Sequence, residues 1–191
     1  MVEKPLLYFK HHLEWRSWLQ ENYNKYTGVY LIFYKVENKE ASMRWEEAVK
    51  VALCFGWIDS TVKSLGNGKR QQYFTPRKPK SIWSALNKKY LIDLFAENLM
   101  HPNGIASVEI AKQNGSWTAL DDVENLIIPK ELQIAFDNNP TAFSNYQNFA
   151  KSYKKSYLYW ISQAKRAATK EKRINETIKL CEQNIKSRDN W

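Results

Sequence analysis

Residues 52–87 read ALCFGWIDSTVKSLGNGKRQQYFTPRKPKSIWSALN. Two runs of β-forming residues flank the turn Gly66-Asn67-Gly68, which is the pattern of a β-hairpin. Just before the hairpin, apolar residues recur at helical spacing from Trp45 to Leu53, and Gly56 suits the left-handed residue that commonly ends a helix. This stretch therefore predicts a helix that leads directly into a hairpin.

The rest of the chain sets the fold class. Val29 to Tyr34 is a continuous apolar run rich in β-forming residues, as expected of a central strand covered on both faces, and Leu6 to Phe9 could add an edge strand. Beyond the hairpin helical patterns dominate. We therefore predict an α+β fold, with a small mixed or antiparallel sheet of three or four strands packed with helices in residues 1–117. A C-terminal helical module follows in residues 118–191, and the two parts could also pack as one domain.

The hairpin and the segment after it contain the residues that we consider for ligand binding. Alternation along the first strand predicts that Ile58 and Val62 face the core, whereas Asp59 projects from the opposite face beside an aromatic residue and a cation. Two prolines end the second strand and hold Arg77 in an extended segment. An ion pair of Asp59 and Arg77 with a purely structural role is the alternative. The candidate ligand-binding residues are Trp57, Asp59, Lys63, Arg77, Trp83, Ser84 and Asn87.

The protein is basic, because 29 Lys and Arg residues against 20 Asp and Glu residues give a formal net charge of +9. No acidic residue occurs between Asp59 and Asp93, so that residues 63–89 form a basic window. Its cations could meet phosphates while its aromatic rings stack on unpaired bases, which makes nucleic acid an alternative partner. A solvated basic face that binds nothing explains the same composition.

A second segment without acidic residues lies between Asp137 and Glu171. It carries several cations around Thr169, a residue that can cap the last predicted helix. The N-terminus of a helix can bind a small anion through its free backbone N–H groups. The anion-binding candidates in this segment are Lys165, Arg166, Thr169 and Arg173.

The chain lacks the sequence signatures of several functional classes. The three histidines have no metal-ligand spacing with Cys54 or Cys181. The chain has neither a Gly-rich phosphate loop nor a Ser nucleophile elbow. We expect no metal and no cofactor, and we favour a protein that is not an enzyme. An enzyme that uses Asp59 as a general base is the alternative.

The sequence also bears on location. Residues 1–10 lack the charged segment and apolar core of a secretory signal. No apolar run approaches the roughly 20 residues of a membrane-spanning helix. Each of the two cysteines lies in an apolar helical pattern, which is typical of buried, reduced thiols. We expect a cytoplasmic protein without a membrane span.

Three ordered motifs carry a resemblance to a known family. They are the run from Ala52 to Asp59, then Pro76-Arg77 with Trp83-Ser84-x-x-Asn87, and finally Ala164-Lys165-x-x-x-Thr169-x-x-x-Arg173-Ile174. Together they resemble the YdeI/OmpD-associated (bacteriocin-protection) family over nearly the whole chain. The resemblance implies a cytoplasmic bacterial protein of mixed α+β fold with a helical C-terminal module, and it brings no catalytic residues with it.

The last motif departs from that family at one position. Lys170 stands where the resemblance leads us to expect an arginine. A lysine lacks the planar fork with which an arginine holds an anion through two hydrogen bonds.

The leading hypothesis is a non-catalytic binding or stress-protection protein that recognises a small molecule or an anionic partner at the surface formed by Trp57 to Asn87. One alternative is a nucleic-acid-binding protein that uses the basic window of residues 63–89. The other is an enzyme with Asp59 as general base.

Overall fold

The computed structural model describes residues 4–188 and divides the chain into two units, Met1–Thr118 and Ala119–Trp191. Unit 1 contains β1 (Leu6–Tyr8), α1 (His12–Asn22), β2 (Val29–Tyr34), α2 (Trp45–Cys54), β3 (Trp57–Gly66), β4 (Lys69–Pro76), α3 (Ala85–Ala96) and α4 (Pro102–Gln113). Unit 2 contains α5 (Asp121–Glu124), α6 (Lys130–Asp137), α7 (Pro140–Asn148), α8 (Lys151–Ser162) and α9 (Ala167–Glu182). Over residues 4–188, no helix combines the length and the apolar character needed to cross a membrane.

The strands of unit 1 form one mixed, four-stranded sheet with the order β1-β2-β4-β3. Strand β1 is parallel to β2, whereas the β2–β4 and β4–β3 pairs are antiparallel. Asn67 and Gly68 both adopt positive φ, as a tight hairpin turn between β3 and β4 requires. The predicted α+β fold, with a mixed sheet of four strands and C-terminal helices, is confirmed.

The two faces of the sheet have different environments. In β2 the residues Val29, Leu31 and Phe33 are buried, and the alternate residues Tyr30, Ile32 and Tyr34 are only partly buried. This strict alternation is the mark of a strand covered on one face only, so the prediction of a strand covered on both faces was wrong. We call the face of Val29, Leu31 and Phe33 the covered face, and the opposite one the open face.

Aromatic rings fill the space between the covered face and the helices. Trp15 of α1 is fully buried, and its ring centroid lies 6.3 Å from that of Trp57 and 5.8 Å from that of Phe74. Its Nε1 donates a hydrogen bond to the Ala48 carbonyl oxygen at 3.2 Å, which joins α1 to α2. Burial of each large ring contributes about 1.5–3 kcal/mol, so this cluster dominates the core of unit 1.

Unit 2 has a hydrophobic core of its own. Phe136, Tyr146 and Phe149 form successive ring contacts at its centre. Tyr157 of α8 is also buried and donates its hydroxyl hydrogen to the Ile185 carbonyl oxygen at 2.7 Å. Burial raises the pKa of Tyr157 to about 12, so the hydroxyl stays protonated and remains a donor.

Helix α4 approaches the end of α2 unusually closely at Gly104. A Cβ atom at this position would lie 2.1 Å from the carbonyl oxygen of Cys54. The same oxygen accepts a hydrogen bond from the His101 backbone N–H at 3.0 Å. Neighbouring backbone, not a movable side chain, therefore excludes any larger residue at position 104.

We predict that Gly104→Ala destabilises the protein by about 2 kcal/mol or more, because the methyl group must displace backbone in a packed core. Helix propensity alone favours alanine by about 1 kcal/mol, so the two effects have opposite signs. Chemical denaturation followed by tryptophan fluorescence gives the free energy of unfolding.

The control is Ala106→Gly, at an exposed position of the same helix, where we expect a loss of about 1 kcal/mol or less. A Gly104→Ala variant as stable as the parent would contradict the close approach of α4 to α2.

Candidate functional site

An extra residue in strand β3 decides which side chains the hairpin presents on each face. Asp59 lies opposite Phe74 and Val62 opposite Gln72, so that three steps along β3 match two along β4. Phe74 and Gln72 are buried on the covered face, and side chains opposed in an antiparallel pair share a face. Asp59 and Val62 therefore both point to the covered face, one on each side of this β-bulge.

The faces predicted from alternation were wrong for three residues and incomplete for a fourth. Asp59, predicted to project away from the core, points to the covered face. Trp57, predicted to face away from the core, is fully buried, and its Nε1 donates to the Tyr23 carbonyl oxygen at 3.1 Å. Ile58, predicted as core, lies opposite Thr75 on the open face and is half-buried. Val62 has the predicted direction but is 51% exposed. An indole can be fully buried once a single carbonyl accepts its only hydrogen-bond donor.

Lys63 does not share a site with Asp59. It lies opposite Gln71 and is exposed on the open face. Because the bulge resets the alternation, a residue that strict period-two counting groups with Asp59 is turned to the other side of the sheet.

Asp59 is the point at which helix α2 is hydrogen-bonded to the hairpin. Its Oδ2 accepts a hydrogen bond from Trp45 Nε1 at 2.9 Å and another from Gln72 Nε2. Gln72 is 3% exposed, so that its amide needs a partner inside the protein. This geometry gives Asp59 a structural role, because its carboxylate holds the Trp45 ring in place.

Arg77 packs against the loop that follows β4. Its guanidinium lies 3.6 Å from the ring centroid of Trp83, and its Nη1 donates to the Ile82 carbonyl oxygen at 3.3 Å. Burial lowers the pKa of Arg77 to about 10, and the negative charge of Asp59 opposes this change. Within residues 4–188 the shielded Nε and Nη2 atoms have no acceptor. Arg77 is half-buried as a whole residue, and its contacts fix the loop.

The remaining candidates of the hairpin region lie at the start of α3. Trp83 is 1% exposed and its ring lies 5.4 Å from that of Trp117. Ser84 is the N-cap of α3, and its Oγ accepts a hydrogen bond from the Asn87 backbone N–H at 3.2 Å. The structure thus brings Arg77, Trp83, Ser84 and Asn87 together along one segment, in contacts that build the fold.

The anion-binding candidates of unit 2 are placed differently from the prediction. Helix α9 starts at Ala167, so its N-cap is Arg166, and Thr169 lies within the first turn rather than at the cap. Arg173 donates to the Trp160 carbonyl oxygen, and its guanidinium lies 5.3 Å from the Trp160 ring. Lys165 and Arg166 are exposed. Arg173 is therefore engaged with α8 rather than turned towards the start of α9.

A cleft of about 500 Å³ opens where the covered face extends beyond the start of α2. Phe33 and Met43 form its buried apolar floor, at 2% and 3% exposure. Trp45 and Val62 add apolar walls. Since Asp59 holds the Trp45 indole, one wall of the cleft is fixed in position.

The rim of this cleft is strongly positive. Lys35, Arg44, Lys69 and Arg70 line it, with Glu37 as the acidic residue among the lining side chains. All four cations are exposed, and within the described residues none of them is paired with a carboxylate. An apolar floor below unpaired cations suits a ligand that combines an apolar body with a negative charge.

Sequence reasoning missed this cleft, although it singled out the hairpin. The missing information is the register of β2 on β4, which places Phe33 opposite Arg70 and Tyr34 opposite Lys69. That pairing joins the end of β2 to the hairpin turn. The two cations after the turn, Lys69 and Arg70, were a partial signal, but their proximity to residues 35–44 depends on long-range contacts of the folded chain.

Two family models match the chain. Residues 7–107 match a family described as a domain of unknown function, DUF8412, and residues 125–184 match the family described as Bacteriocin-protection, YdeI or OmpD-Associated. The second match confirms the family suggested by the sequence motifs over residues 125–184. The first two motifs, predicted to belong to the same family, lie in the part of the chain that matches DUF8412. No curated protein and no solved structure gives a significant match. The sheet and the cleft lie within the first match, and helices α6 to α9 within the second.

We predict that Asp59→Ala destabilises the protein by about 2–4 kcal/mol, because it leaves the buried Gln72 amide and the Trp45 indole without their acceptor. Asp59→Asn keeps an accepting oxygen and should cost about 1 kcal/mol or less. The measurement is urea denaturation, with Trp45 among the reporting fluorophores.

The control is Asp93→Ala, which removes an exposed carboxylate from α3 and should change the stability by at most about 0.5 kcal/mol. Equal stability of Asp59→Ala and the parent would show that the carboxylate does not join α2 to the hairpin.

Proposed function

We propose that this chain, which belongs to the DUF8412 family and carries a C-terminal Bacteriocin-protection, YdeI or OmpD-Associated unit, is a binding protein for a small organic anion. The ligand would occupy the cleft between the hairpin and α2. The observation that carries the proposal is the combination of a buried apolar floor with four unpaired cations at its rim.

The two halves of the cleft would contribute differently to binding. An aromatic ring system that buries about 150 Å² against Phe33, Met43 and Trp45 gains about 4 kcal/mol. An exposed ion pair gains about 0.2–1 kcal/mol. The apolar body would therefore supply most of the affinity, and the cations would select for negative charge and accelerate association.

The proposed ligand belongs to the class suggested by the sequence, a small molecule or an anion. Its proposed site is the cleft, and not the set of candidate residues chosen from the sequence. Asp59 supports the cleft from behind, because its carboxylate fixes the Trp45 indole. Arg77 and Trp83 contact each other and the loop instead of lining the cleft. Binding by shape and charge requires no chemical step, so the proposed activity is recognition.

Anilinonaphthalene sulfonate is a suitable probe because it joins an aromatic body to a sulfonate and becomes fluorescent on apolar surfaces. We predict that it binds the folded protein and that the double variant Lys69→Gln/Arg70→Gln weakens binding about two- to thirtyfold. Two lost ion pairs at about 0.2–1 kcal/mol each justify this magnitude. Fluorescence titration measures the dissociation constant.

Two controls test whether the dye binds through the cations of the cleft or only through the overall positive charge of the protein. The variant Lys78→Gln/Lys80→Gln removes the same charge from exposed positions outside the cleft and should bind like the parent. The uncharged analogue N-phenylnaphthylamine should bind the parent and Lys69→Gln/Arg70→Gln equally well. An equal loss of sulfonate binding in both double variants would contradict the proposal.

A further inference from the structure

The open face of the sheet carries a set of half-buried tyrosines. Tyr30 of β2 and Tyr73 of β4 lie opposite each other, with ring centroids 4.9 Å apart. Tyr8 of β1 and Tyr34 of β2 form a second pair at 5.4 Å. None of the four is buried. They therefore leave part of each ring accessible on the side of the sheet that the helices of unit 1 do not cover.

The two tyrosine pairs are spaced along the sheet rather than clustered. Tyr34 lies four positions after Tyr30 on β2, which corresponds to about 13 Å along the strand. Ile32 lies between them on the same face and is also half-buried. The two tyrosine pairs and Ile32 together form a stripe of partly exposed apolar surface on the open face.

Cations lie directly on this stripe. The ammonium group of Lys4 lies 4.3 Å from the ring centroid of Tyr73, and that of Lys69 lies 5.3 Å from the ring of Tyr34. Lys63 is exposed opposite Gln71, on the same face. Glu40 and Glu14 are the acids that act on Tyr8, at one edge of the stripe. Lysines therefore lie over both tyrosine pairs, with Lys4 on Tyr73 and Lys69 on Tyr34.

We propose that the open face binds single-stranded nucleic acid, with bases stacked on the tyrosine rings and phosphates held by Lys4, Lys63 and Lys69. Aromatic rings on an open sheet are a common platform for unpaired bases, because every base has a π-face and stacking tolerates any sequence. Charge complementarity favours a polyanion over a neutral partner. Paired bases in a duplex have no free face for these rings.

The open face shares Tyr34 and Lys69 with the lining of the anion-binding cleft, and its other proposed contacts lie outside that lining. Lys69 lines the cleft and also lies over Tyr34, so it is left unchanged in the test. The variants change residues that do not line the cleft, so that failure of one proposal leaves the other standing.

The experiment measures fluorescence anisotropy of a labelled oligouridylate of about twelve nucleotides with the full chain. We expect binding to the single strand at about 50 mM salt, a clear loss towards about 200 mM, and at least about tenfold weaker binding to a duplex of the same length. The variant Tyr30→Ser/Tyr73→Ser should lose at least about tenfold in affinity. Tyr30→Phe/Tyr73→Phe should retain it, because the rings remain.

The matched control is Tyr153→Ser/Tyr159→Ser, which removes two exposed tyrosines of α8 and should leave binding unchanged. Lys4→Gln/Lys63→Gln should make the slope of log affinity against log salt concentration less steep, because about two fewer counterions are released on binding. Circular dichroism and sedimentation velocity of every variant report fold and self-association.

Several results would overturn the proposal. They are absence of binding to the single strand at low salt, equal affinity for the duplex, and unchanged affinity of a folded Tyr30→Ser/Tyr73→Ser variant. A parent protein that self-associates through the open face, and that loses only this property in the tyrosine variant, would assign the face to a second copy of the chain instead.

Discussion

The hydrogen bonds to Asp59 connect the helical layer of unit 1 with its sheet. Trp45 comes from α2, Gln72 from β4 and Asp59 from β3, so one carboxylate oxygen joins three elements. Hydrogen bonds to a charged acceptor are the stronger ones, at about 1.5–3 kcal/mol each. The position of α2 over the hairpin depends on them, and with it the wall of the cleft that Trp45 supplies.

The β-bulge after Asp59 has an equally direct effect on both surfaces. Without the extra residue, Val62 would face away from the cleft and Lys63 would face into it. With it, Val62 joins the apolar lining and Lys63 joins the open face. One inserted residue thus adds an apolar wall to the cleft on one side of the sheet and a lysine to the open face on the other. Bulges beside binding surfaces commonly redirect side chains in this way.

The fold was more predictable from the sequence than the candidate site. Helix α2, the hairpin turn and strand β2 follow from local patterns, because spacing, glycine positions and β-propensity agree there. Asp59 and Arg77 were predicted as ligand contacts, but local pattern cannot tell a ligand contact from a contact within the protein. The bulge between Asp59 and Val62 has no glycine to mark it, so alternation grouped Ile58 with Val62 on the core face. Trp57 and Asp59 were therefore assigned to the wrong face. The cleft depends on the β2–β4 register, which is a long-range pairing.

The central claim is that the cleft at the hairpin end of the covered face is the ligand site of unit 1. Amide NMR shifts of the full chain, followed during titration with anilinonaphthalene sulfonate, test it most directly because they report on each residue separately. We expect the largest shifts on residues 33–37, 43–45, 62–64 and 69–70, which contain the cleft lining. Shifts centred on Arg77 to Asn87, or on the helices of unit 2, would contradict it.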